Sequence, residues 1–120
     1  MERPADADLA LVGAAVSALR RGLGPARHPT ASAARADDGS ISVALGLKDV
    51  LCAEAAVVSA VLATGRRVTT IATVKHVSDD ATRVLAPCPS CRLVLQQHAP
   101  AARVVHLAEG LRVSRVEALP

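Results

Sequence analysis

A chain of 120 residues, 51% of them apolar, has room for one hydrophobic core. It contains no Phe, Trp or Tyr, so that core has to be built from Ala, Val and Leu. The net charge of +3 is scattered, with Arg20-Arg21 and Arg66-Arg67 the only basic doublets. With no basic run and no ring to stack on a base, the pattern argues against a nucleic-acid groove. The apolar residues 9–19 are too few to cross a bilayer, and acids rather than cations precede them, so neither membrane span nor secretion signal is expected.

In chain order, residues 6–21 read as an amphipathic helix. Leu9, Val12, Val16 and Leu19 recur at helical spacing, acids fill the first turn, and Arg20-Arg21-Gly22 closes it. A loop to Thr30 precedes two short strands flanking Asp37-Asp38-Gly39, a strong turn signal, and the second alternates Ile41, Val43 and Leu45. A helix over 52–64 stops at Gly65, and its all-round apolar character marks it as buried. Residues 68–74 are a β-branched strand, 75–86 a polar connection, 89–98 a helix opened by Pro89, and 103–107 a further strand. The stretch 113–119 fits a last strand or helix. Strands joined by crossover helices run parallel, so the expectation is one domain, residues 1–120, of α/β class: three layers, α/β/α, with a mixed sheet.

The chemistry lies in three cysteines, Cys52 in Cys52-Ala53-Glu54 and the pair in Pro87-Cys88-Pro89-Ser90-Cys91-Arg92. An odd count suits a three-thiolate metal site better than a disulfide framework, and reduced thiols imply a cytoplasmic location. Cys88 and Cys91, three apart at a helix start, can face the same way, and Cys52 opens the other helix. Both helix N-termini would direct partial positive charge at the thiolates. The set reads as an open zinc site with water at the fourth corner. Glu54, two residues past Cys52, is close to the metal without being a natural ligand, and can move protons between water and substrate. Three thiolates on Zn²⁺ leave a net charge of −1, which Arg92 could offset through hydrogen bonds to sulfur. The competing readings are a closed structural zinc site completed by His76, His98 or His106, or unrelated thiols. None of these histidines stands at ligand spacing from a cysteine, and each reads as a surface or strand-edge residue.

This pattern resembles the zinc-dependent cytidine deaminases, in particular the small cytidine deaminases and blasticidin S deaminase. The resemblance runs from the first helix through both metal motifs to the strand after them. It implies an α/β/α fold with a five-stranded mixed sheet, Zn²⁺ on Cys52, Cys88 and Cys91, and Glu54 as proton shuttle for hydrolytic deamination. It also implies a homotetramer or homodimer whose neighbouring subunits complete the active sites. The family's Asn-x-Glu element, which holds ribose hydroxyls, is replaced here by Ile41-Ser42-Val43-Ala44-Leu45. The substrate is therefore expected to be a small aminated heterocycle: a cytosine-bearing nucleoside, a nucleoside antibiotic or a relative. Ala53, Val43, Lys48, Asp49 and Pro87 are the candidate substrate contacts. Two other functions remain open: a non-catalytic, zinc-stabilised binding module of the same fold, or a nucleic-acid base deaminase.

Overall fold

The computed structural model describes all residues, Met1–Pro120. Helix α1 (Asp6–Arg21) starts where the Asp8 carboxylate accepts the Ala5 N–H at 2.9 Å, and it ends at Gly22. A side chain at Gly22 would collide with the His28 ring, so only glycine lets the loop fold back there. Strands β1 (Thr30–Ala36) and β2 (Ile41–Leu45) form the expected hairpin around Gly39, whose φ of 86° suits glycine. Helix α2 (Ala53–Ala63) leads to β3 (Val68–Ser78), then β4 (Ala81–Leu85), α3 (Pro89–His98), β5 (Arg103–Leu107), β6 (Leu111–Arg115) and a 3₁₀ turn at Val116–Ala118.

The sheet runs in the order β2-β1-β3-β5-β6, five strands on one path. A sixth, β4, corrects the reading of 75–86 as a polar connection: β3 continues to Ser78 and turns straight back into β4. Thr82 and Val84 alternate with more exposed neighbours, so the segment is a half-exposed hairpin whose polar residues hid its period. On its second edge, β3 pairs parallel with β5 from Thr70 to Ala72 and antiparallel with β4 from Thr73 onward. The sheet therefore forks between Ala72 and Thr73.

Strand alternation sends successive residues to opposite layers. Leu11, Ala15, Ala18 and Leu19 of α1 pack on Ala31, Ala33, Ala72, Val74, Val105 and Val113. Val57, Val58 and Val61 of α2 and Leu95 of α3 pack on Ala34, Ile71 and Val104 from the other side. This is the expected three-layer α/β/α architecture. Helix α2 departs from the expectation in one respect: Ala60, Leu62 and Ala63 on its outer side are exposed, because nothing in this chain lies beyond it. No helix is long and apolar enough to cross a membrane.

Candidate active site

Two helix N-termini meet at one end of the sheet, and each opens on a cysteine. Cys52 is the N-cap of α2 and Cys88 that of α3; both have extended backbones, and neither thiol caps its own helix. Pro89 occupies the first turn of α3, where a missing N–H costs nothing, and Cys91 follows on the same face. The three sulfurs all lie within 4.8 Å of one another. Tetrahedral Zn–S bonds of about 2.3 Å place sulfurs about 3.8 Å apart, so a slight closure of the cage fits zinc. No histidine joins the group, which leaves the fourth corner to solvent or substrate and removes the closed, histidine-completed alternative.

Glu54 sits one residue into α2, buried, with its Oε2 3.7 Å from the Cys91 sulfur. Cys91 is 1% exposed, and burial, then the Glu54 carboxylate and the two other thiols, push its pKa far above the ordinary thiol value. Without a cation the pocket thus disfavours a thiolate at Cys91. A dication, helped by both helix dipoles, removes that penalty, which is the donor chemistry expected of a zinc centre.

Beside the cysteines opens a cleft of about 300 Å³, lined by Cys52, Glu54 and Cys88 with Pro29, Thr30, Gly46, Leu47, Lys48, Asp49, Leu51, Thr73, Leu85 and Ala86. Lys48 and Asp49 therefore reach the place where a substrate would sit. Their loop is tied down by the Lys48 N–H donating to the Arg27 carbonyl and by the Leu47–Leu51 bridge, and Asp49 holds a φ of 61°. Ala53 is fully buried and Pro87 is buried; neither lines the cleft. Val43 is not brought to the site, because β2 alternation turns it to the α1 side, against Ala18, Arg21 and Gly22.

Arg92 also differs from its expected position. Its Nε donates to the Pro87 carbonyl at 3.3 Å and its Nη2 to the Pro120 carbonyl at 2.7 Å, with no bond to sulfur. One residue past Cys91, a side chain is rotated by about 100° around the helix, away from the ligand face. His106 is not a strand-edge residue. It is fully buried, with Nε2 2.8 Å from the Ser114 hydroxyl and Nδ1 unpartnered. In a chain without Phe, Trp or Tyr it is among the largest groups available to fill the interior.

Sequence reasoning missed Thr30 and Thr73. The available signal was a lone polar residue inside the apolar run Ile71-Ala72-Thr73-Val74, and only the fork in the sheet shows that Thr73 meets the cleft.

No family model matches the chain, and no curated protein matches it. Solved structures do. Cytidine deaminase from Mycobacterium tuberculosis is 29% identical with a TM-score of 0.70, over 98% of this chain and 96% of that one. A Glu-to-Gln mutant of that enzyme is 30% identical with a TM-score of 0.69, over 93% of each chain. Cytidine deaminase from Bacillus anthracis shares the fold at a TM-score of 0.77 and 17% identity, over 91% of this chain and 83% of that one.

Proposed function

This chain belongs to the cytidine deaminase family, and on that premise we propose that it is a zinc-dependent hydrolytic deaminase of a cytosine-bearing nucleoside, nucleoside antibiotic or related aminated heterocycle. One observation carries the reading: three sulfurs within 4.8 Å of one another, with a buried carboxylate beside them and a cleft opening on both.

Cys52, Cys88 and Cys91 would hold the metal, which when bound supplies an acidified water as nucleophile. Glu54 accepts the proton that this water gives up. It delivers that proton to the ring nitrogen next to the amine-bearing carbon, then takes the second proton from the hydroxyl that the water has become and gives it to the departing amine, so that the C–N bond breaks, the carbonyl forms and ammonia leaves. Its burial against Cys91 keeps the carboxylate out of bulk water and within reach of both positions. Arg92 braces the metal loop instead of neutralising it, through the Pro87 carbonyl one residue before Cys88. Lys48 and Asp49 provide one charge of each sign at the cleft, where a polar or charged substituent of the substrate would lie.

The exposed apolar outer side of α2, with Leu93 of α3 also exposed, supports assembly into a homodimer or homotetramer, in a cytoplasmic setting that keeps the thiols reduced. The deciding experiment measures ammonia release by the zinc-loaded protein from cytidine, deoxycytidine, cytosine and blasticidin S, against Glu54→Gln. Turnover of any of them that vanishes in Glu54→Gln is the expected result. Ligand binding without turnover in both proteins would overturn catalysis in favour of a binding module.

A further inference from the structure

The sheet ends differently at each of its margins. At β6, Glu2 takes up both the N–H and the C=O of Val113 at 2.8 Å, with Arg112 and Arg115 flanking it. Strand β4 carries the exposed Arg83 at its centre. Strand β2, at the other end of the path, has neither device. Its run Ile41-Ser42-Val43-Ala44-Leu45 holds no charge and no proline, it pairs with β1 without a bulge, and no strand lies beyond it. Charge, proline, a bulge or a cover is what keeps an exposed edge from pairing.

Register decides which groups this edge offers. The Gly46 N–H donates to the Thr30 carbonyl and the Ala36 N–H to the Ser40 carbonyl, each at 2.8 Å. Bonded and unbonded pairs alternate in an antiparallel ladder, so Ser42 and Ala44 turn their backbone groups to β1, opposite Ala34 and Ser32. The N–H and C=O of Ile41, Val43 and Leu45 then point away from the sheet, and no bond from another segment reaches them. Their side chains share the α1 face, with Ile41 42% and Val43 41% exposed.

We propose that the β2 edge is an interface between two copies of this chain, joined antiparallel about a two-fold axis through Val43. Val43 then pairs with Val43 of the second copy, and Ile41 with Leu45 of the second copy. All three positions are of the outward, bonding kind in both copies. Three bonded pairs with two hydrogen bonds each leave no outward N–H or C=O of the strand unused. The side chains match as well. Apolar Ile41, Val43 and Leu45 meet Leu45, Val43 and Ile41 on one face, and small Ser42 and Ala44 meet Ala44 and Ser42 on the other. A pattern that is symmetric about its middle residue is what an isologous contact requires, and an edge built for an unrelated peptide has no need of it. Two five-strand paths become one continuous sheet, with both α1 helices on one side and both α2 helices on the other. This seam differs from the outer side of α2 and is independent of the chemistry at the cysteines.

The test follows amide exchange by NMR, and mass by sedimentation, on the zinc-loaded chain over a dilution series. The amides of Ile41, Val43 and Leu45 should exchange at least about tenfold more slowly in the concentrated sample than in the dilute one, in step with the rise in mass. Those of Ser42 and Ala44, bonded to β1, should be protected throughout. Val43→Pro removes a donor that bonds nothing within the chain, and Val43→Lys sets two like charges opposite each other at the axis. Each should raise the dissociation constant at least about a hundredfold. Slow exchange at the three outward amides that dilution leaves unchanged would overturn the inference, because the cover would come from within the chain. A monomer at every concentration would overturn it too. So would assembly in which these amides stay fast, which would move the contact to another surface such as the outer side of α2.

Discussion

The two faces of the sheet are made from the same strands but filled with different chemistry. Against α1 the buried surface is almost wholly small and apolar, and the notable ionic contact is at its margin, where Arg103 holds Asp8 at 3.0 and 3.1 Å. Against α2 and α3, the interior also holds Ser32, Thr73, His106, Ser114 and Glu54, all buried. Each such group costs free energy unless paired; here Ser32 pairs with Thr73, and Ser114 with Nε2 of His106, whose Nδ1 alone stays unpaired. Alternation along a strand makes this segregation possible: residue by residue, one face serves as scaffold and the other as the wall of a reaction site. Interference with the second face should therefore change chemistry more than stability, and interference with the first the reverse.

The largest expected contrast is Glu54→Gln. Turnover should fall by about a thousandfold or more, while zinc content by atomic absorption stays near one per chain. Next comes Cys91→Ser, which should weaken zinc binding by at least about a hundredfold in chelator competition and lower the melting temperature, since bound metal stabilises the fold by mass action. On the α1 side, Asp8→Asn loses the ion pair and weakens the acceptor for the Ala5 N–H. With Arg103 partly solvated, it should cost about 1–2 kcal/mol in urea unfolding and leave kcat unchanged. If kcat instead falls in step with stability, the two faces are not separable.

The smallest effect lies at the exposed β1–β2 turn, remote from both layers. The Ser40 hydroxyl, then its N–H, bond Asp38 and hold its carboxyl below the usual 3.8. A lowered acid contributes stability above its unfolded value and loses it as pH falls through the folded one. Asp38→Ala should accordingly cost a small amount of stability at neutrality, read by urea unfolding, and nothing once the pH has fallen below the folded value, so that the acid limb below pH 3.8 is slightly flatter.

Much of this molecule was legible in its sequence, because the signals were local. The caps and periods of α1 and α3, the Asp38-Gly39 turn, and the two cysteine-bearing helix starts depend on neighbours within a few residues. The motif pairing Cys-Ala-Glu with Pro-Cys-x-x-Cys pointed to the metal chemistry before any contact was known. The positions of Arg92, Val43 and His106 were not legible. Arg92 sits beside a ligand in sequence but a third of a turn away in space. Val43 belongs to the right strand on the wrong face. His106 is polar yet fills the interior, where a chain lacking Phe, Trp and Tyr has few large side chains to offer.

The sequence alone thus determined which residues could bind a metal, and which segments would be helix or strand, except β4 and the tail after Gly110. Tertiary structure decided which of them face one another. Closure of the three sulfurs to within 4.8 Å depends on α2 and α3 beginning at the same end of one sheet. The standing of Thr73 depends on β3 changing partners beside it. Such facts rest on long-range pairing, where free energy is gained by burying faces together, and no local pattern of residues encodes which faces meet.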